Sequence, residues 1–315
     1  MTSKPIVGII TPCYNEEQML PTTINELLSI LQSMIIKEVI SSDSFIALVD
    51  DGSKDKTWKI IEENAKNHNN IKGLKLAKNA GHQNALLAGL NSFKESADAL
   101  ISIDADLQDD INVIEEMIAK FSEGIQVIYG VRKQRNTDAF FKRSTALMFY
   151  KFMKFMNVNI MYNHADYRLL SKKVLIELEK FGEVNLFLRG IIPTIGFSNE
   201  VVYYNRLERT AGESKYPFRK MLSFAWDGIT SFSNYPLKIV SFLSIMIFFV
   251  CVVMSVYAVY SLSFHNTVPG WFSTVFPMYF LGGIQLFSLG IIGEYIGKIY
   301  IETKKRPRYF IEKIV

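Results

Sequence analysis

Four aspartates follow one short apolar run in the stretch LISIDADLQDD, residues 100–110. The run is typical of a buried strand, and Asp104 and Asp106 come directly after it. Like charges this close repel one another, and burying an unpaired carboxylate costs free energy. A divalent cation that also binds a phosphate relieves both costs, because Mg²⁺ and Mn²⁺ prefer hard carboxylate oxygens. An isolated D-x-D is more often a solvated loop, so this interpretation needs further acidic residues nearby.

Two more polar clusters supply them, because TPCYNEE follows the first predicted strand and VDDGS, with Asp50 and Asp51, follows the second. In an open parallel sheet, ligands bind at the carboxyl ends of the strands. If these strands are neighbours, their ends form one acidic pocket. No G-x-x-x-x-G-K-[ST] or G-x-G-x-x-G pattern occurs, which disfavours a P-loop enzyme or a dinucleotide-binding domain. A phospho-acceptor domain also uses acidic strand ends, but it needs none of the apolar segments described below.

The first two thirds of the chain alternate between apolar runs and amphipathic stretches, which predicts an α/β fold with a mainly parallel sheet covered by helices. The predicted strands are PIVGIITP, 45–50, 71–76 and 99–104, and the predicted helices are 16–35, 54–67, 82–94 and 111–121. Asp109 and Asp110 precede the last of these helices, where acidic residues stabilise a helix start.

Two long apolar segments, 239–262 and 275–299, follow in this chain of 315 residues. The first carries no charge and the second carries only Glu294 and Lys298, so each is long enough to cross a hydrocarbon core of about 30 Å. A pair of buried core helices is the alternative. Basic residues flank the pair and are absent from the linker between them, which predicts cytoplasmic flanks. We therefore expect a multi-pass protein of the plasma or inner membrane, with its first domain and both termini in the cytoplasm.

The remaining composition narrows the class of protein. A formal charge of +4 does not favour nucleic acid as a partner, and the two cysteines form neither a disulfide framework nor a metal motif. Segments 139–157 and 216–232 mix aromatic and basic residues, as amphipathic helices at an anionic membrane surface do. A helix packed on the domain core is the alternative for 139–157. Gly293 and Gly297 form a small-xxx-small pair that allows another helix to approach, either within the chain or between chains. Together with the amphipathic segments, this pair leads us to expect a homo-oligomer. The predicted regions are a domain over 1–215, a juxtamembrane helix over 216–235, a hairpin over 236–300 and a basic tail over 301–315.

Six motifs resemble those of family 2 glycosyltransferases, in the same order: TPCYNEE, VDDGSKDKT, NAGHQNALLAG, DADLQD, HADYRLLS and NRLERTAGESKY. With the apolar pair they are most similar to the polyprenyl-phosphate group, which includes dolichyl-phosphate mannose synthase and bactoprenol glucosyltransferases. The resemblance covers nearly the whole chain. It implies a GT-A fold and an inverting transfer of a sugar from a nucleotide-sugar to a polyprenyl phosphate.

The resemblance also implies roles for individual residues. The expected nucleotide-sugar contacts are Pro12, Tyr14, Glu16, Asp51, Asp104, Ala105, Arg206, Arg209 and Lys215, with Ser214 beside them. The expected ligands of Mg²⁺ or Mn²⁺ are Asp104, Asp106 and Gln108. The expected contacts of the acceptor phosphate are Arg132, Arg143 and Ser144. Asp166 matches a position assigned as a catalytic base, and Asp106, Arg132 and Arg143 complete the catalytic set.

The chemistry of the acceptor argues against a strong base. A phosphate monoester has a second pKa of about 6, so it is mostly a dianion at neutral pH and is already nucleophilic. We therefore expect Asp166 to orient a sugar hydroxyl or a basic neighbour such as Arg168. His82 and His164 are expected to be structural.

The sequence leads to one main hypothesis and two alternatives. The main hypothesis is an enzyme that loads a hexose, from UDP-glucose or else UDP-N-acetylglucosamine, onto undecaprenyl phosphate for modification of cell-envelope glycans, with a separate flippase as a possible partner. A processive polysaccharide synthase is one alternative, although it would carry Q-x-x-R-W, and none of Trp58, Trp226 and Trp271 follows an Arg. An inactive membrane-tethered scaffold is the other.

Overall fold

The computed structural model describes residues 4–133, 164–183, 188–205, 235–263 and 271–315. They belong to two compact units. The first unit contains the described residues up to 205 together with 306–315, and the second contains the two long C-terminal helices.

Strands and helices alternate through the first unit as the sequence pattern predicts. The strands are β1 (Val7–Cys13), β2 (Phe45–Asp50), β3 (Ile71–Leu76), β4 (Ala99–Ser102), β5 (Val127–Arg132), β6 (His164–Ser171), β7 (Asn199–Tyr204) and β8 (Ile311–Ile314). The helices are α1 (Leu20–Ile36), α2 (Thr57–Asn67), α3 (His82–Phe93), α4 (Val113–Ser122), α5 (Lys172–Glu179) and α6 (Leu188–Thr194), with a 3₁₀ turn over Lys94–Ser96.

The eight described strands form one sheet in the order β7-β5-β6-β4-β1-β2-β3-β8. Among them, β6 and β8 run opposite to the other six. The prediction of an α/β fold with a mainly parallel sheet is therefore confirmed. Every residue of β1, β2 and β4 is buried, because helices cover both faces of the central strands.

Each face of the sheet is covered by a helix whose apolar residues recur at helical spacing. On α1 the buried residues include Leu20, Ile24, Leu27 and Leu31. On the opposite face α3 lies so close that a Cβ on Gly89 would be 2.5 Å from Cγ2 of Ile10. A larger residue there would push α3 away from the strands whose ends carry the acidic residues.

The last residues of the chain form an edge strand of this sheet. β8 pairs antiparallel with β3, and Val315 exchanges backbone hydrogen bonds of 2.8 and 2.9 Å with Gly73. Before β8, the guanidinium of Arg308 donates to the carbonyl of Phe181 at 2.8 Å. The expectation of one basic tail over 301–315 is therefore corrected, because its end adds main-chain hydrogen bonds to the open edge of β3.

The second unit consists of α7 (Tyr235–Ser263) and α8 (Trp271–Thr303). Within the described residues, one stretch, Phe280–Thr303, is long and apolar enough to cross a membrane, and Pro236–Ile247 is a shorter apolar stretch of α7. Apart from neighbouring residues of α8, no described atom lies within 4 Å of where a Cβ of Gly293 or Gly297 would be. The predicted interface segments 139–157 and 216–232 lie outside the described residues.

Removal of residues 309–315 tests whether β8 is an integral strand. We expect the free energy of unfolding of the first unit to fall by about 2–4 kcal/mol, because several hydrogen bonds to β3 are lost together. Thermal unfolding of the purified protein in detergent measures the change. The control Lys313→Gln removes one exposed ion pair, with Glu62, and should cost much less than the truncation. Equal losses in the two variants would contradict an integral β8.

Candidate active site

The acidic residues meet at one edge of the sheet because of the strand directions. The carboxyl ends of β1, β2 and β4 lie side by side, since these strands pair in parallel. β6 runs antiparallel to β4, with Ser102 opposite Arg168, so the first residues of β6 lie at the same edge. The hydroxyl of Ser102 donates to the carbonyl of Asp166 and joins the two strands there.

The loops after β1 and β2 are joined by reciprocal hydrogen bonds. The backbone N–H of Asn15 donates to Oγ of Ser53, and Oδ1 of Asn15 accepts from the N–H of Lys54, both at 2.9 Å. The N–H of Glu16 donates to Oγ1 of Thr57 at 2.9 Å. These contacts keep residues 14–17 out of α1, which begins at Leu20, four residues after the predicted start. The two predicted nucleotide-binding loops therefore form one rigid rim.

Three of the predicted nucleotide contacts lie along this rim with different exposures. Pro12 is buried within β1, Glu16 is half-buried, and the ring of Tyr14 is 42% exposed. Tyr14 is therefore the one of the three that offers an open surface to a ligand.

Asp51 holds the loop before α3 against the end of β2. Its two carboxylate oxygens accept from the backbone N–H groups of Ala80 and Gly81, at 2.7 and 3.0 Å. Gly52 follows with φ of +66°, and a Cβ there would lie 2.6 Å from the backbone N of Asn79. This close approach requires glycine. Each Asp51 oxygen keeps a lone pair, so a nucleotide contact by Asp51 stays a prediction.

The segment after β4 makes a tight turn that presents Asp104 and Asp106. Leu107 has a left-handed φ of +51°, and Oδ1 of Asp106 accepts from the N–H of Gln108 at 3.2 Å. Ala105 is buried, and its carbonyl accepts from Oγ1 of Thr23 at 2.7 Å. A non-glycine residue in the left-handed region is uncommon, which is typical of turns held in place by their surroundings.

Asp104 carries an electrostatic cost that the described residues leave partly unrelieved. Although 36% of its side-chain surface reaches solvent, dense protein around the carboxylate raises the pKa of Asp104 to about 6. Nε2 of His82 lies 3.4 Å from Oδ1 of Asp104 and opposes this rise of the pKa, while Asp166 adds to it. An additional cation would stabilise the ionised form of Asp104.

The donor set suits a hard divalent cation that also binds a substrate. Within the described ranges, no three His, Cys, Asp or Glu side chains form a complete cluster for a metal ion. Asp104, Asp106 and the amide of the buried Gln108 offer two carboxylates and one carbonyl oxygen. Mg²⁺ is commonly held by one or two carboxylates, water and substrate phosphates, so an incomplete protein set fits it.

Asp166 is buried between two arginines. Arg168, which is 1% exposed, forms an ion pair with Oδ1 of Asp166. It is the basic neighbour that the sequence led us to expect. Arg189 donates from Nε to Oδ1 at 3.2 Å and from Nη2 to Oδ2 at 3.0 Å. Burial opposes ionisation of Asp166, but the two guanidinium groups outweigh it and hold the pKa of this carboxyl well below its usual range. Such a carboxylate is a weak base.

Arg132 and Asp109 form a second ion pair at the end of β5. Nη2 and Nε of Arg132 donate to Oδ1 of Asp109, at 2.9 and 3.2 Å. The hydroxyl of Tyr204, the register partner of Arg132 on β7, donates to the same oxygen at 2.6 Å. The expectation that Asp109 stabilises the helix start is therefore corrected. Asp110 does act before α4, since its Oδ1 accepts from the N–H of Asn112 at 3.0 Å.

The structure places Pro12, Tyr14, Glu16, Asp51, Asp104, Ala105, Asp106, Gln108, Arg132 and Asp166 in the first unit. Arg143, Ser144, Arg206, Arg209, Ser214 and Lys215 lie outside the described residues. Two residues of the site received no role from the sequence, His82 and Arg189. A lone arginine in the apolar run NLFLRGIIPT was the signal for Arg189.

Comparison with known proteins decides the family. The family model "Glycosyl transferase family 2" matches residues 8–179, more than half of the chain, and "GtrB C-terminal hairpin" matches residues 235–299. The chain belongs to glycosyltransferase family 2. An uncharacterized glycosyltransferase of Bacillus subtilis, YkoT, is 49% identical over 98% of this chain and 92% of its own length.

Two relatives carry a more specific description. A prophage bactoprenol glucosyl transferase homolog of Escherichia coli is 37% identical over 98% of this family 2 chain and 99% of its own length. A bactoprenol glucosyl transferase of Shigella phage SfII is also 37% identical, over 98% of this chain and 97% of its own length. The fold of this glycosyltransferase is GT-A-like, with its strand-end carboxylates at the edge where such α/β sheets bind ligands.

A substitution of Asp166 separates a base from an orienting carboxylate. In Asp166→Asn we expect sugar transfer to slow by about 10²-fold, equally from about pH 6 to about pH 9, because a misplaced neighbour costs roughly that much. The measurement is the initial rate of transfer across this range. Glu177→Gln, an exposed residue of α5 that pairs with Lys180, is the control. A loss that disappears as the pH rises would instead indicate a base.

Proposed function

We propose that this enzyme transfers a hexose from a nucleotide-sugar to undecaprenyl phosphate at the cytoplasmic face of the membrane, with inversion, for modification of cell-envelope glycans. UDP-glucose is the first choice of donor and UDP-N-acetylglucosamine the second. The observation that carries the proposal is 37% identity over nearly the full length to proteins named bactoprenol glucosyl transferase. The match of the C-terminal hairpin model to residues 235–299 supports a membrane-bound acceptor.

The site supports departure of a nucleoside diphosphate. This leaving group develops negative charge and needs neutralisation more than it needs a proton. Asp104 and Asp106, with Gln108, would hold Mg²⁺ or Mn²⁺, which supplies that neutralisation when bound. The raised pKa of Asp104 supports a cation at this position. The joined loops after β1 and β2 form a rim on which the nucleoside would bind.

Arg132 is the described residue that we assign to the acceptor phosphate. Asp109 and Tyr204 occupy its Nε and Nη2, so they fix the plane of the guanidinium. Nη1 is then the nitrogen that we assign to the phosphate. Arg143 and Ser144 are proposed to complete this contact.

Connectivity supports two membrane crossings. The chain leaves the first unit after β7 and re-enters it as β8, so the residues between them must cross a membrane an even number of times. Phe280–Thr303 is long and apolar enough for one crossing. α7 has 29 residues, about 43 Å of helix, which is long enough for the other.

The experiment that tests the proposal is an assay of the purified protein in detergent. The protein is incubated with undecaprenyl phosphate, Mg²⁺ or Mn²⁺ and a panel of nucleotide-sugars, and the glycolipid is identified by mass. We expect one sugar to be added to the lipid phosphate. A polymer longer than one sugar would favour the processive synthase, and no consumption of any donor would favour the inactive scaffold.

Substitution of Asp109 tests the assignment of Arg132. In Asp109→Asn we expect the KM for undecaprenyl phosphate to rise about tenfold, because Arg132 loses the charge that orients it, while the KM for the donor changes by less than about twofold. Tyr204→Phe removes the hydrogen bonds of this hydroxyl to Asp109 and Arg132 but keeps the charge of Asp109, so it should have a smaller effect. An unchanged acceptor KM in Asp109→Asn would contradict the assignment.

Cysteine labelling tests the two crossings. We expect Thr267→Cys, in the linker, to react with a membrane-impermeant maleimide on intact cells, and Lys304→Cys to react only after the cells are permeabilised. Labelling of the unaltered protein gives the background from its two native cysteines, Cys13 and Cys251. Protection of Thr267→Cys together with labelling of Lys304→Cys in intact cells would reverse the proposed orientation.

A further inference from the structure

We infer that Arg189 binds a phosphate group of a substrate, and that Asp166 positions it for this role. This inference rests on the proposed function, whose substrates both carry phosphate. No role was expected for Arg189 from the sequence motifs. The geometry of its contact with Asp166 and its place in the site carry the inference.

Asp166 fixes the plane of the Arg189 guanidinium. The two parallel hydrogen bonds from Nε and Nη2 to the two carboxylate oxygens form a fork, which restricts rotation about the end of the side chain. Arg189 is at the same time 39% exposed, while Asp166 is 8% exposed and Arg168 1% exposed. The two hydrogen bonds therefore hold the partly exposed guanidinium of Arg189 against the buried carboxylate of Asp166.

This cation lies beside the predicted metal ligands. Oδ2 of Asp166, which accepts from Arg189, is also 3.8 Å from Nε2 of His82. The same nitrogen is 3.4 Å from Oδ1 of Asp104. One nitrogen of His82 therefore lies near both the carboxylate that Arg189 contacts and the carboxylate where a substrate diphosphate would be held.

The charge and shape of this group favour phosphate over a neutral ligand. One carboxylate, that of Asp166, contacts the two guanidinium groups of Arg168 and Arg189. A guanidinium is always charged and presents planar donors that match phosphate oxygens, whereas a lysine presents a single rotating ammonium. The phosphate has two sources, the diphosphate of the donor and the monoester of the lipid acceptor.

The test uses the full-length protein in detergent, with Arg189→Gln and two separate measurements. The first is calorimetric binding of inorganic pyrophosphate with Mg²⁺, which reports the donor side. The second is the KM for undecaprenyl phosphate at saturating donor, which reports the acceptor side. We expect either the Kd for pyrophosphate or the KM for undecaprenyl phosphate to rise about tenfold or more, because the variant loses a charged hydrogen bond.

A rise of at least about threefold in the Kd or in the KM supports the inference. A higher Kd identifies the donor as the source of the phosphate, and a higher KM identifies the acceptor. A smaller change in both would overturn the inference. Arg189→Lys, which keeps the charge and loses the fork, should fall between Arg189→Gln and the unaltered protein, and the same criteria apply to it if Arg189→Gln does not fold. Lys180→Gln, an exposed cation of the same unit, is the control and should change neither value. If the unaltered protein transfers no sugar, the proposed function fails, and pyrophosphate binding still tests Arg189.

Discussion

Carboxylates gathered at one edge of a buried sheet must each be compensated, and this electrostatic constraint organises the site. Asp51 is compensated by two backbone N–H groups, Asp109 by Arg132 and Tyr204, and Asp166 by two arginines. Burial raises the pKa of Asp51 despite its two hydrogen bonds, and it raises the pKa of Asp104 to about 6 beside a half-exposed histidine. Part of the electrostatic cost therefore remains at the carboxylate that begins the D-x-D segment, where a cation that arrives with a substrate would relieve it.

Compensation by arginine also changes what a carboxylate can do. A buried aspartate between two guanidinium groups binds a proton weakly, so Asp166 is suited to orienting its neighbours rather than to removing protons. The proposed acceptor, a phosphate that is already a dianion, also needs no base, because it has to be positioned rather than deprotonated. The electrostatics of the site and the chemistry of the proposed acceptor therefore both indicate a reaction without a strong general base.

The C-terminal strand returns the chain from α8 to the sheet that carries the site. β8 pairs with β3, and β3 leads into the loop that Asp51 holds before α3. The helices α7 and α8 are thus enclosed between two segments of the first unit in the sequence. A segment that departs from and returns to one domain crosses a membrane an even number of times, so this connection agrees with the two crossings that we propose.

The local patterns of the sequence determined the alternating elements, the mainly parallel sheet, the acidic strand ends and the family. Periodicity and strand-end residues are encoded within short windows, so strands 45–50 and 71–76 were predicted at their observed bounds. Only the tertiary structure decided that β6 reverses beside β4, that Asp109 pairs with Arg132, that Arg189 reaches Asp166 and that residues 311–314 join the sheet. These facts depend on strand direction and on contacts between residues distant in the chain. No short window of sequence contains both partners of such a contact.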